Sequence, residues 1–486
     1  MSMRLSENAV GIKPADRPKP GIAHLGLGAF FRAHGVSYIR QARLHSGGDW
    51  GIIGVSLKRP IQRDLLAPQD FIYTAIERHP EKPEFRHLDD VTNILVAPED
   101  PTAVLETMSD PAIKIVSLTV TERGYCLDPA TGRLDMNHPE IRHDVENGLK
   151  PQSAIGFLVY ALALRRDRGL GPFTILSCDN ISQNGHTVRR AVQDFAEKID
   201  ADLARWIAQQ ARFPCTMVDR IVPATTQADI EECADATGFL DLSPVSHEPF
   251  SQWVIEDDFV DGERPDFASA GVQLVEDTTP FETMKLRCLN GSHSSLAYLG
   301  YLAGHKTIAE TVSDELFDRF IQRLWKSEII PTLAPITGVD YEEYCEKLRE
   351  RYLNPAIRHA TWQIAMDGTQ KLPQRLLHSL QDNINSGRPS PLICAAIAGW
   401  MRYVSGVDDD GNIIDVRDAM ADELAERVSG KSQSPEMVVD SLLGMDMVFP
   451  EQIAGSTDIR KLLVGFYSDY ANMGVRKTLE KLLGSD

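Results

Sequence analysis

Three polar residues between positions 285 and 293 have the types and the spacing that acid–base chemistry on an alcohol requires. Lys285, Asn290 and His293 stand at i, i+5 and i+8. On a regular α-helix turning about 100° per residue they lie at roughly 0°, 140° and 80°, on one face. A neutral amine there can take the proton of an alcohol, while the amide and the imidazole donate to the oxygen as it becomes a carbonyl. The spacing alone also fits an ordinary helix with a solvated lysine, a capping Asn and a hydrogen-bonded His.

The elements that must hold these residues are predicted from hydrophobic patterning. The first half alternates short β-branched runs with helical patterns, which is typical of βαβ units around a parallel sheet. Buried strands are expected at residues 22–28, 51–57, 113–121 and 173–178, with helices at 29–46 and 154–168. The second half is expected to be helical, at residues 310–330, 376–386, 392–404, 437–443 and 459–483, the last broken at Gly474. We therefore place a domain boundary near residue 280.

Length and composition narrow the class of protein. A chain of 486 residues is too long for one hydrophobic core and predicts two domains. Its net charge of −20 argues against nucleic acid or an anionic membrane as a partner. Seven cysteines without a CxxC pair indicate reduced thiols. Because the first 20 residues lack the apolar core of a signal peptide and no apolar run is long enough to span a membrane, we expect a soluble cytoplasmic protein.

Gly26-Leu27-Gly28 closes the first predicted strand and opens a helix, where a pyrophosphate could rest on free backbone N–H groups. Alone this motif is a weak signal, because Phe31 stands where the usual fingerprint has its third glycine. A tight strand-to-helix turn without a ligand is the alternative interpretation. The thirteen histidines include no HExxH motif and no tight His/Cys cluster in sequence, so no metal site is predicted.

The chain resembles the long-chain polyol dehydrogenases of the mannitol dehydrogenase family, which include mannitol 2-dehydrogenases and fructuronate, tagaturonate and arabinitol oxidoreductases. The family signature K-x-x-x-x-N-x-x-H is matched by Lys285, Asn290 and His293. The family's G-x-G-x-F-x-R-A-H pattern is matched from Gly26 to His34, with Phe31 where relatives usually have His. Other matching runs follow in one order along nearly the whole chain: SLTVTERGY (117–125), FTILSCDNISQNGH (173–186), FPCTMVDRIVPAT (213–225) and EPFSQWVIEDDF (248–259).

The resemblance implies an α/β fold, with a Rossmann-type NAD-binding domain over residues 1–280 and a mostly α-helical catalytic and substrate domain over 281–486. It implies that Lys285 is the general acid/base, that Asn180 and Asn290 polarise the carbonyl, and that His293 orients the substrate. An unperturbed lysine, with a pKa near 10.4, is a poor base at neutral pH, and burial under the nicotinamide ring would lower that pKa.

The resemblance also implies the residues that contact the cofactor. They are Gly26, Gly28, Ala29, Phe30, Arg32, Lys58, Thr121 and Glu122. The loop after the second strand reads Leu57-Lys58-Arg59, which is basic where mannitol dehydrogenases are acidic. An acid there would bind the ribose and repel a 2′-phosphate, so by charge alone this loop tolerates NADPH. Relatives that act on uronates are taken to use NAD(H), and we therefore expect NAD, with NADP not excluded.

Substrate choice depends on residues 354–375. Mannitol dehydrogenases carry an arginine nine residues after the Asn of their R-F-x-N motif, and Gln363 holds that position here. The run H-x-T-W-Q-I-A-M-D-G-x-Q-K-L-P-Q-R instead resembles the fructuronate reductase branch. A uronate needs cations for its carboxylate, and Arg358, His359 and Lys371 are the expected substrate contacts together with Gln363. Arg375 is a further candidate cation.

The sequence therefore predicts an NAD-dependent oxidoreductase that interconverts D-mannonate and D-fructuronate. A sugar acid is its expected small-molecule partner, and a monomer or weak homo-oligomer is expected. A mannitol 2-dehydrogenase or a tagaturonate reductase-type enzyme is the alternative within the family. A nucleotide-binding regulator that has lost catalysis is the alternative from another class, and the intact Lys285, Asn290 and His293 argue against it.

Overall fold

The chain folds into two compact units, Met1–Thr279 and Pro280–Asp486. A computed structural model describes residues 3–129, 131–430 and 434–484. The first unit is an α/β body around a parallel sheet and the second is built of helices, so the predicted fold class is confirmed.

The strands of the first unit form one central sheet and three smaller ones. Numbered in chain order they are β1 (Met3–Arg4), β2 (Pro20–Leu25), β3 (Gly51–Ser56), β4 (Tyr73–Glu77), β5 (Glu84–Leu88), β6 (Val91–Val96), β7 (Ile115–Leu118), β8 (Thr174–Ser177), β9 (Thr216–Asp219), β10 (Phe239–Leu240), β11 (Val245–His247), β12 (Gln252–Glu256) and β13 (Gln273–Val275). The central sheet has the order β6-β3-β2-β7-β8, and every neighbouring pair in it is parallel. The chain order reverses between β2 and β7, and open α/β sheets bind ligands beyond the carboxyl ends of the strands at such a switch point.

Helices cover both faces of this sheet. The helices of the first unit are α1 (Glu7–Val10), α2 (Ala29–Ala33), α3 (Gly35–Ser46), α4 (Ile61–Leu66), α5 (Pro101–Ser109), α6 (Pro139–Asn147), α7 (Ala154–Asp167), α8 (Asn184–Ile199), α9 (Ala201–Gln210) and α10 (Gln227–Thr237). Side chains of β2 alternate between two hydrophobic clusters. Ala23 and Leu25 pack with residues of α5, α7 and α8, whereas Ile22 packs with residues of α3. Burial on both faces explains why β2 is apolar at nearly every position.

The described residues of the second unit form helices joined by loops. Its helices are α11 (Thr279–Met284), α12 (Ser292–Leu302), α13 (Ile308–Ser313), α14 (Glu315–Leu324), α15 (Tyr341–Tyr352), α16 (Thr361–Ala365), α17 (Gly368–Leu372), α18 (His378–Asn385), α19 (Pro391–Tyr403), α20 (Ala421–Val428), α21 (Pro435–Leu443), α22 (Glu451–Ala454) and α23 (Thr457–Leu483). Three segments are π-helical: Lys285–Gly291, Trp325–Ile329 and Pro373–Leu377. Gly399 lets α19 approach α12 closely, since a Cβ there would lie 2.7 Å from the Leu299 side chain. Among the described helices, none is long and apolar enough to cross a membrane.

Two predicted helices are interrupted in the structure. The helix expected over residues 29–46 divides at His34, whose backbone leaves the regular geometry at φ −103° and ψ −73°. The helix expected over 310–330 divides at Asp314, whose side chain accepts the Leu316 N–H and caps α14. Both predictions of one continuous helix were wrong, because apolar periodicity continues across a local change of backbone geometry at His34 and across a capping residue at Asp314. The break at Gly474 is present, with φ +81°.

A buried carboxylate in the second unit gives a prediction for stability. Glu328 is 2% exposed, and its carboxylate accepts the N–H groups of Leu392 and Ile393 at the start of α19. Burial raises the pKa of Glu328 to about 7, against the lowering effect of those two hydrogen bonds. Because this folded-state pKa lies above the unfolded one, the folded chain binds the proton more tightly. The resulting stability is full below about pH 4.5 and is lost as the pH rises through about 7.

We expect Glu328→Gln to remove this part of the pH dependence. A shift from an ordinary pKa near 4.5 to about 7 corresponds to about 3 kcal/mol of unfolding free energy across that window. Urea unfolding of both proteins at pH 5 and pH 8 measures the difference. Parallel losses of stability in the wild type and the variant would contradict the assignment.

Candidate active site

The glycine turn after β2 lies at the switch point of the central sheet. Gly26 has φ +87°, and a Cβ added there would lie 2.3 Å from the carbonyl oxygen of Thr119, just beyond β7. Only glycine tolerates both that φ and that approach. Gly28 is exposed, and a Cβ there would meet nothing closer than the Gly26 carbonyl oxygen at 3.8 Å. The turn therefore joins the ends of two strands and leaves open space at Gly28.

The buried side chain of His24 stabilises this turn through hydrogen bonds. The ring nitrogens of His24 lie 2.8 Å from Ser117 Oγ and 2.9 Å from Thr119 Oγ1. Thr119 Oγ1 in turn donates to the carbonyl oxygen of Gly26 at 2.8 Å. Burial lowers the pKa of His24 to about 3, so this ring is neutral. Phe31, in the place of the usual third glycine, stacks on His24 with ring centroids 3.4 Å apart.

The three predicted cofactor residues in α2 differ in their burial and in their contacts. Ala29 and Phe30 are half-buried at the start of the helix. Arg32 is 2% exposed, and its Nη1 donates to the Ser243 carbonyl oxygen at 2.6 Å. Its guanidinium also lies 5.0 Å from the ring centre of Tyr73. Arg32 thus anchors α2 to other parts of the first unit, and any effect on a nucleotide would come through the position of the helix.

The basic loop after β3 lies at the surface. Lys58 is exposed and forms an ion pair with Glu140 of α6 at 2.5 Å, and Arg59 is also exposed. An acid beside Lys58 lowers the positive charge that the sequence alone assigned to this loop.

The segment after β7 has a strained backbone. Thr121 has φ +62° and ψ +167°, a region that is essentially restricted to glycine and costs a β-branched residue about 1–3 kcal/mol. Thr121 and Glu122 are both exposed. Asp179, which follows β8, accepts the N–H groups of Val120 at 3.0 Å and Thr121 at 2.8 Å. Asn180, the predicted catalytic amide of the first unit, is the next residue along the chain and is exposed.

In the second unit the predicted catalytic helix is not a regular α-helix. Lys285–Gly291 forms a π-helical segment between α11 and α12. Hydrogen bonds of a π-helix join residues i and i+5, so Lys285 and Asn290 lie one above the other. The regular geometry assumed from sequence separated them by roughly 140°. The assumption was wrong, and the actual turn aligns the two side chains more closely.

Side-chain donors satisfy carbonyl groups of this π-helical segment. Trp325 Nε1 donates to the Cys288 carbonyl oxygen at 2.9 Å, and the Tyr352 hydroxyl donates to that of Leu289 at 2.8 Å. The hydroxyl of Ser292 lies within hydrogen-bond distance of the same two carbonyl oxygens and can donate its one proton to either. Buried carbonyl groups require such partners, so these residues stabilise the geometry in which Lys285 and Asn290 align.

Two buried polar atoms of the predicted catalytic set have no hydrogen-bond partner within the described ranges. They are Asn290 Oδ1 and His293 Nε2. Lys285, Asn290 and His293 are 7%, 9% and 6% exposed. The His293 ring stacks on Tyr352, with centroids 5.3 Å apart. Burial holds the pKa of His293 well below its ordinary value, so the ring is neutral. Since buried polar atoms are normally paired, these two indicate a place for a polar ligand.

Positive groups surround His293. The rings of His359 and His293 lie 4.6 Å apart. After burial, the charges that lower the His293 pKa are those of His359, Arg375, Arg351 and Lys371, in that order. Burial lowers the pKa of Lys371 to about 8, and its Nζ donates to the Met366 carbonyl oxygen at 2.6 Å. Burial lowers the pKa of His359 to about 4, so this ring is neutral as well. We call Arg351, Lys371 and Arg375 the cationic cluster.

Arg358 and Gln363 are more exposed to solvent than the other two predicted substrate contacts. Both are exposed, whereas His359 and Lys371 are partly buried. Arg358 lines a cleft of about 820 Å³ together with His305 and Lys306. The sequence did not distinguish the four residues, because a short, irregular stretch with two brief helices has no periodicity that assigns its faces.

One group of potential metal ligands was not visible in the sequence. His186, Cys215 and Glu256 offer ligand atoms within 4.8 Å of one another in the first unit. Glu256 already accepts the Cys215 N–H at 2.8 Å, so the carboxylate has a structural role without an ion. The three residues come from α8, the start of β9 and the end of β12, and only folding brings them together.

Sequence reasoning also missed residues that support the predicted site. Asp179, Trp325 and Tyr352 each form a hydrogen bond to a backbone group near a predicted functional residue, and His24 supports the glycine turn through the side chain of Thr119. Asp179 could have been identified from the sequence, because it lies in the matched run SCDN directly before Asn180. His24, Trp325 and Tyr352 could not, because a buried aromatic or imidazole donor looks like an ordinary core residue until its partner is known.

Comparison with known proteins covers nearly the whole chain. The mannitol dehydrogenase Rossmann domain matches residues 20–268, and the mannitol dehydrogenase C-terminal domain matches residues 277–464. D-mannonate oxidoreductase of Escherichia coli (strain K12) is 44% identical over 465 residues, which cover 95% of each chain. Mannitol 2-dehydrogenase of Pyricularia oryzae is 40% identical over 488 residues, covering 98% of this chain and 96% of its own.

A solved structure is similar over the same length. Pseudomonas fluorescens mannitol 2-dehydrogenase, in a ternary complex with NAD and D-mannitol, has a TM-score of 0.85 and 35% sequence identity. The match covers 99% of both chains.

The close packing at Gly291 gives a prediction that needs no assay of function. A Cβ at Gly291 would lie 2.6 Å from the backbone carbonyl oxygen of Arg375, which cannot rotate away. We expect Gly291→Ala to destabilise the chain by about 1–3 kcal/mol through overpacking. Gly465 is an exposed glycine inside α23 with nothing within 4 Å of an added Cβ, so Gly465→Ala should stabilise by about 0.5–1 kcal/mol. Chemical unfolding measures both, and effects of the same sign would contradict the packing argument.

Proposed function

The chain belongs to the mannitol dehydrogenase family, and from that premise we propose that it interconverts D-mannonate and D-fructuronate with NAD. Family membership makes it an NAD-dependent oxidoreductase that acts on a CH–OH group of a polyol or a sugar acid. The choice of the sugar acid is our proposal, because relatives of similar identity include both D-mannonate oxidoreductase and mannitol 2-dehydrogenases.

The observation that carries the choice of a sugar acid is the cationic cluster beside His293. The chain as a whole has a net charge of −20, so positive groups gathered around one buried imidazole need a reason. A polyol has no charge that they could neutralise. The carboxylate of a uronate or an aldonate accepts charge-assisted hydrogen bonds from lysine and arginine, which are stronger than hydrogen bonds between neutral groups. Gln363, in the position of the arginine of mannitol dehydrogenases, supports the same choice.

The first unit fits NAD by the geometry of its switch point. Open space at Gly28 and the exposed residues Thr121 and Glu122 lie beyond the carboxyl ends of β2 and β7, where a dinucleotide is expected in this fold. Bound NAD supplies the hydride acceptor, and NADH the donor. The protein's part is to hold the ends of the two strands, through the hydrogen bonds from His24 to Thr119 and from Thr119 to the Gly26 carbonyl.

In the second unit we propose that Lys285 moves the proton of the reacting hydroxyl. In support, Lys285 and Asn290 are five residues apart within the π-helical segment, the spacing that its backbone hydrogen bonds join, and His293 follows three residues later in α12. The buried His293 is neutral, so its ring can donate one hydrogen bond to the substrate oxygen without adding a charge. Asn290 can offer its amide to the same oxygen as it changes between alcohol and carbonyl.

The proposal is tested by the substrate preference of the wild type and of Lys371→Ala. We expect activity on D-mannonate and D-fructuronate with NAD(H), and little activity on mannitol or fructose. A charge-assisted hydrogen bond contributes about 1.5–3 kcal/mol, so Lys371→Ala should reduce kcat/KM for the sugar acid by roughly ten- to a hundredfold. Absorbance at 340 nm measures both directions of the reaction, with NADP(H) tested alongside.

Lys306→Ala is the matched control, since Lys306 is an exposed lysine of the same unit outside the cationic cluster. It should leave the preference for the sugar acid unchanged. Equal kcat/KM for mannitol and mannonate in the wild type would refute the choice of substrate. A better rate with NADPH would show that the basic loop at Lys58 sets the cofactor preference.

A second test concerns the proton. Lys285→Ala should lower kcat by about 10²–10⁴-fold, the usual cost of removing a general acid or base. NADH should still bind, because the nucleotide is expected in the first unit. Lys285→Met keeps an unbranched side chain, one atom shorter and without the amine, and should be equally slow. An active Lys285→Ala protein with an unchanged pH–rate profile would remove Lys285 from the mechanism.

A further inference from the structure

The conformation of Thr121 needs an explanation that its own side chain does not provide. Its φ of +62° and ψ of +167° belong to a region that glycine occupies readily and a β-branched residue avoids. Thr121 is exposed, so packing of its side chain into a core does not force the conformation. Strained residues persist only where their surroundings over-determine the backbone, and they gather at functional sites.

The surroundings in this case are the hydrogen bonds of one carboxylate. Asp179 Oδ1 accepts the Thr121 N–H at 2.8 Å, and Oδ2 accepts the Val120 N–H at 3.0 Å. The Tyr125 hydroxyl donates to Oδ2 at 2.7 Å. On the far side of the residue, the Gly124 N–H donates to the Thr121 carbonyl oxygen at 2.9 Å. Both oxygens of a 7% exposed carboxylate are therefore committed to the loop after β7.

The same residue fixes the end of the neighbouring strand. Asp179 is the second residue beyond β8, and its carbonyl oxygen accepts Asn184 Nδ2 at 3.0 Å. Asn184 Nδ2 also lies 3.0 Å from the carbonyl oxygen of Thr216 at the start of β9. The backbone at Asp179 is thus held on the sheet, while its side chain holds the loop after β7. This single residue couples the carboxyl ends of two adjacent parallel strands.

We propose that Asp179 is a positioning residue for the nucleotide, because it holds Thr121 in its strained conformation and so fixes the course of the exposed Thr121–Glu122 segment beside NAD. The inference rests on the proposed NAD site at the ends of β2 and β7. It deepens that proposal by naming the group that fixes one wall of the site. Asp179 itself need not touch the nucleotide, because its two carboxylate oxygens are used within the protein.

The isosteric variant Asp179→Asn tests the role. The N–H groups of Val120 and Thr121 bond to different oxygens of Asp179, and in asparagine one of those two positions becomes an NH₂ donor, so one N–H group loses its acceptor and faces another donor. Thr121 should then relax to an ordinary extended conformation. We expect the Kd for NADH, measured by fluorescence titration, to rise about tenfold, equivalent to about 1.4 kcal/mol. Tyr125→Phe removes a single hydrogen bond from Asp179 and should raise the Kd for NADH two- to threefold. This second variant tests the proposal if Asp179→Asn folds poorly.

Rescue by glycine separates positioning from general damage. Glycine occupies the Thr121 conformation without the Cβ penalty. In a Thr121→Gly background, Asp179→Asn should therefore weaken NADH binding by no more than about threefold. A merely structural role for Asp179 predicts the same tenfold loss in both backgrounds, and that result would overturn the proposal.

Asp144 provides the matched control. It is a fully buried carboxylate that accepts the N–H groups of Gln152 at 2.7 Å and Ser153 at 3.0 Å and the Ser153 hydroxyl at 2.6 Å. Asp144→Asn should lower the Tm as Asp179→Asn does, yet leave the Kd for NADH within twofold of the wild type. Equal weakening of NADH binding by both variants would overturn the proposal.

Failure of the inference and failure of the proposed function give different results. A wild type that binds NADH and an Asp179→Asn variant that binds it equally well overturn the positioning role alone. A wild type that does not bind NADH overturns both.

Discussion

A buried helix cannot leave a backbone carbonyl without a donor, and the second unit is built around that constraint. The π-helical turn at Lys285–Gly291 lies in an element whose continuation, α12, is almost entirely buried. The donors come from other elements: the Trp325 indole, the Tyr352 hydroxyl and, within α12, Ser292. Because these bonds stabilise the π turn, they also fix the alignment of Lys285 with Asn290. The geometry of the proposed acid–base pair thus depends on hydrogen bonds to groups that take no part in the chemistry.

Tyr352 shows how closely packing and chemistry are linked. Its hydroxyl holds the Leu289 carbonyl, while its ring stacks on His293. The stacked, buried imidazole stays neutral and keeps an unpaired nitrogen. A protonated imidazole among Arg351, Lys371 and Arg375 would be disfavoured by like charge as well as by burial. The cluster therefore keeps His293 neutral and able to donate a hydrogen bond.

In the first unit, hydrogen bonds from side chains likewise hold backbone segments that have no partner in the sheet. Parallel strands end in loops whose backbone has no ladder partner, and a nucleotide site needs those loops in one place. His24 and Thr119 fix the glycine turn after β2, and Asp179 fixes the loop after β7. All three are polar residues at the ends of otherwise apolar strands. They replace the missing ladder bonds with side-chain hydrogen bonds.

The sequence by itself determined the α/β fold class, the glycine turn and the residue types of the proposed chemistry. These features are encoded locally, since strand and helix periodicities and a G-x-G turn each need only a few consecutive residues. The apolar periodicity also predicted two helices that run through His34 and Asp314, but local backbone geometry and capping interrupt both helices there.

Only the tertiary structure decided the π turn, the strain at Thr121 and the members of the cationic cluster. The donor to Leu289 lies 63 residues away in the chain, and the acceptor for the Val120 N–H lies 59 residues away. No local pattern encodes such pairs, because a buried Tyr or Asp has the same identity whether its partner is a core carbonyl or a strained loop. Their roles arise when folding removes water and forces each buried polar group to find a partner within the protein.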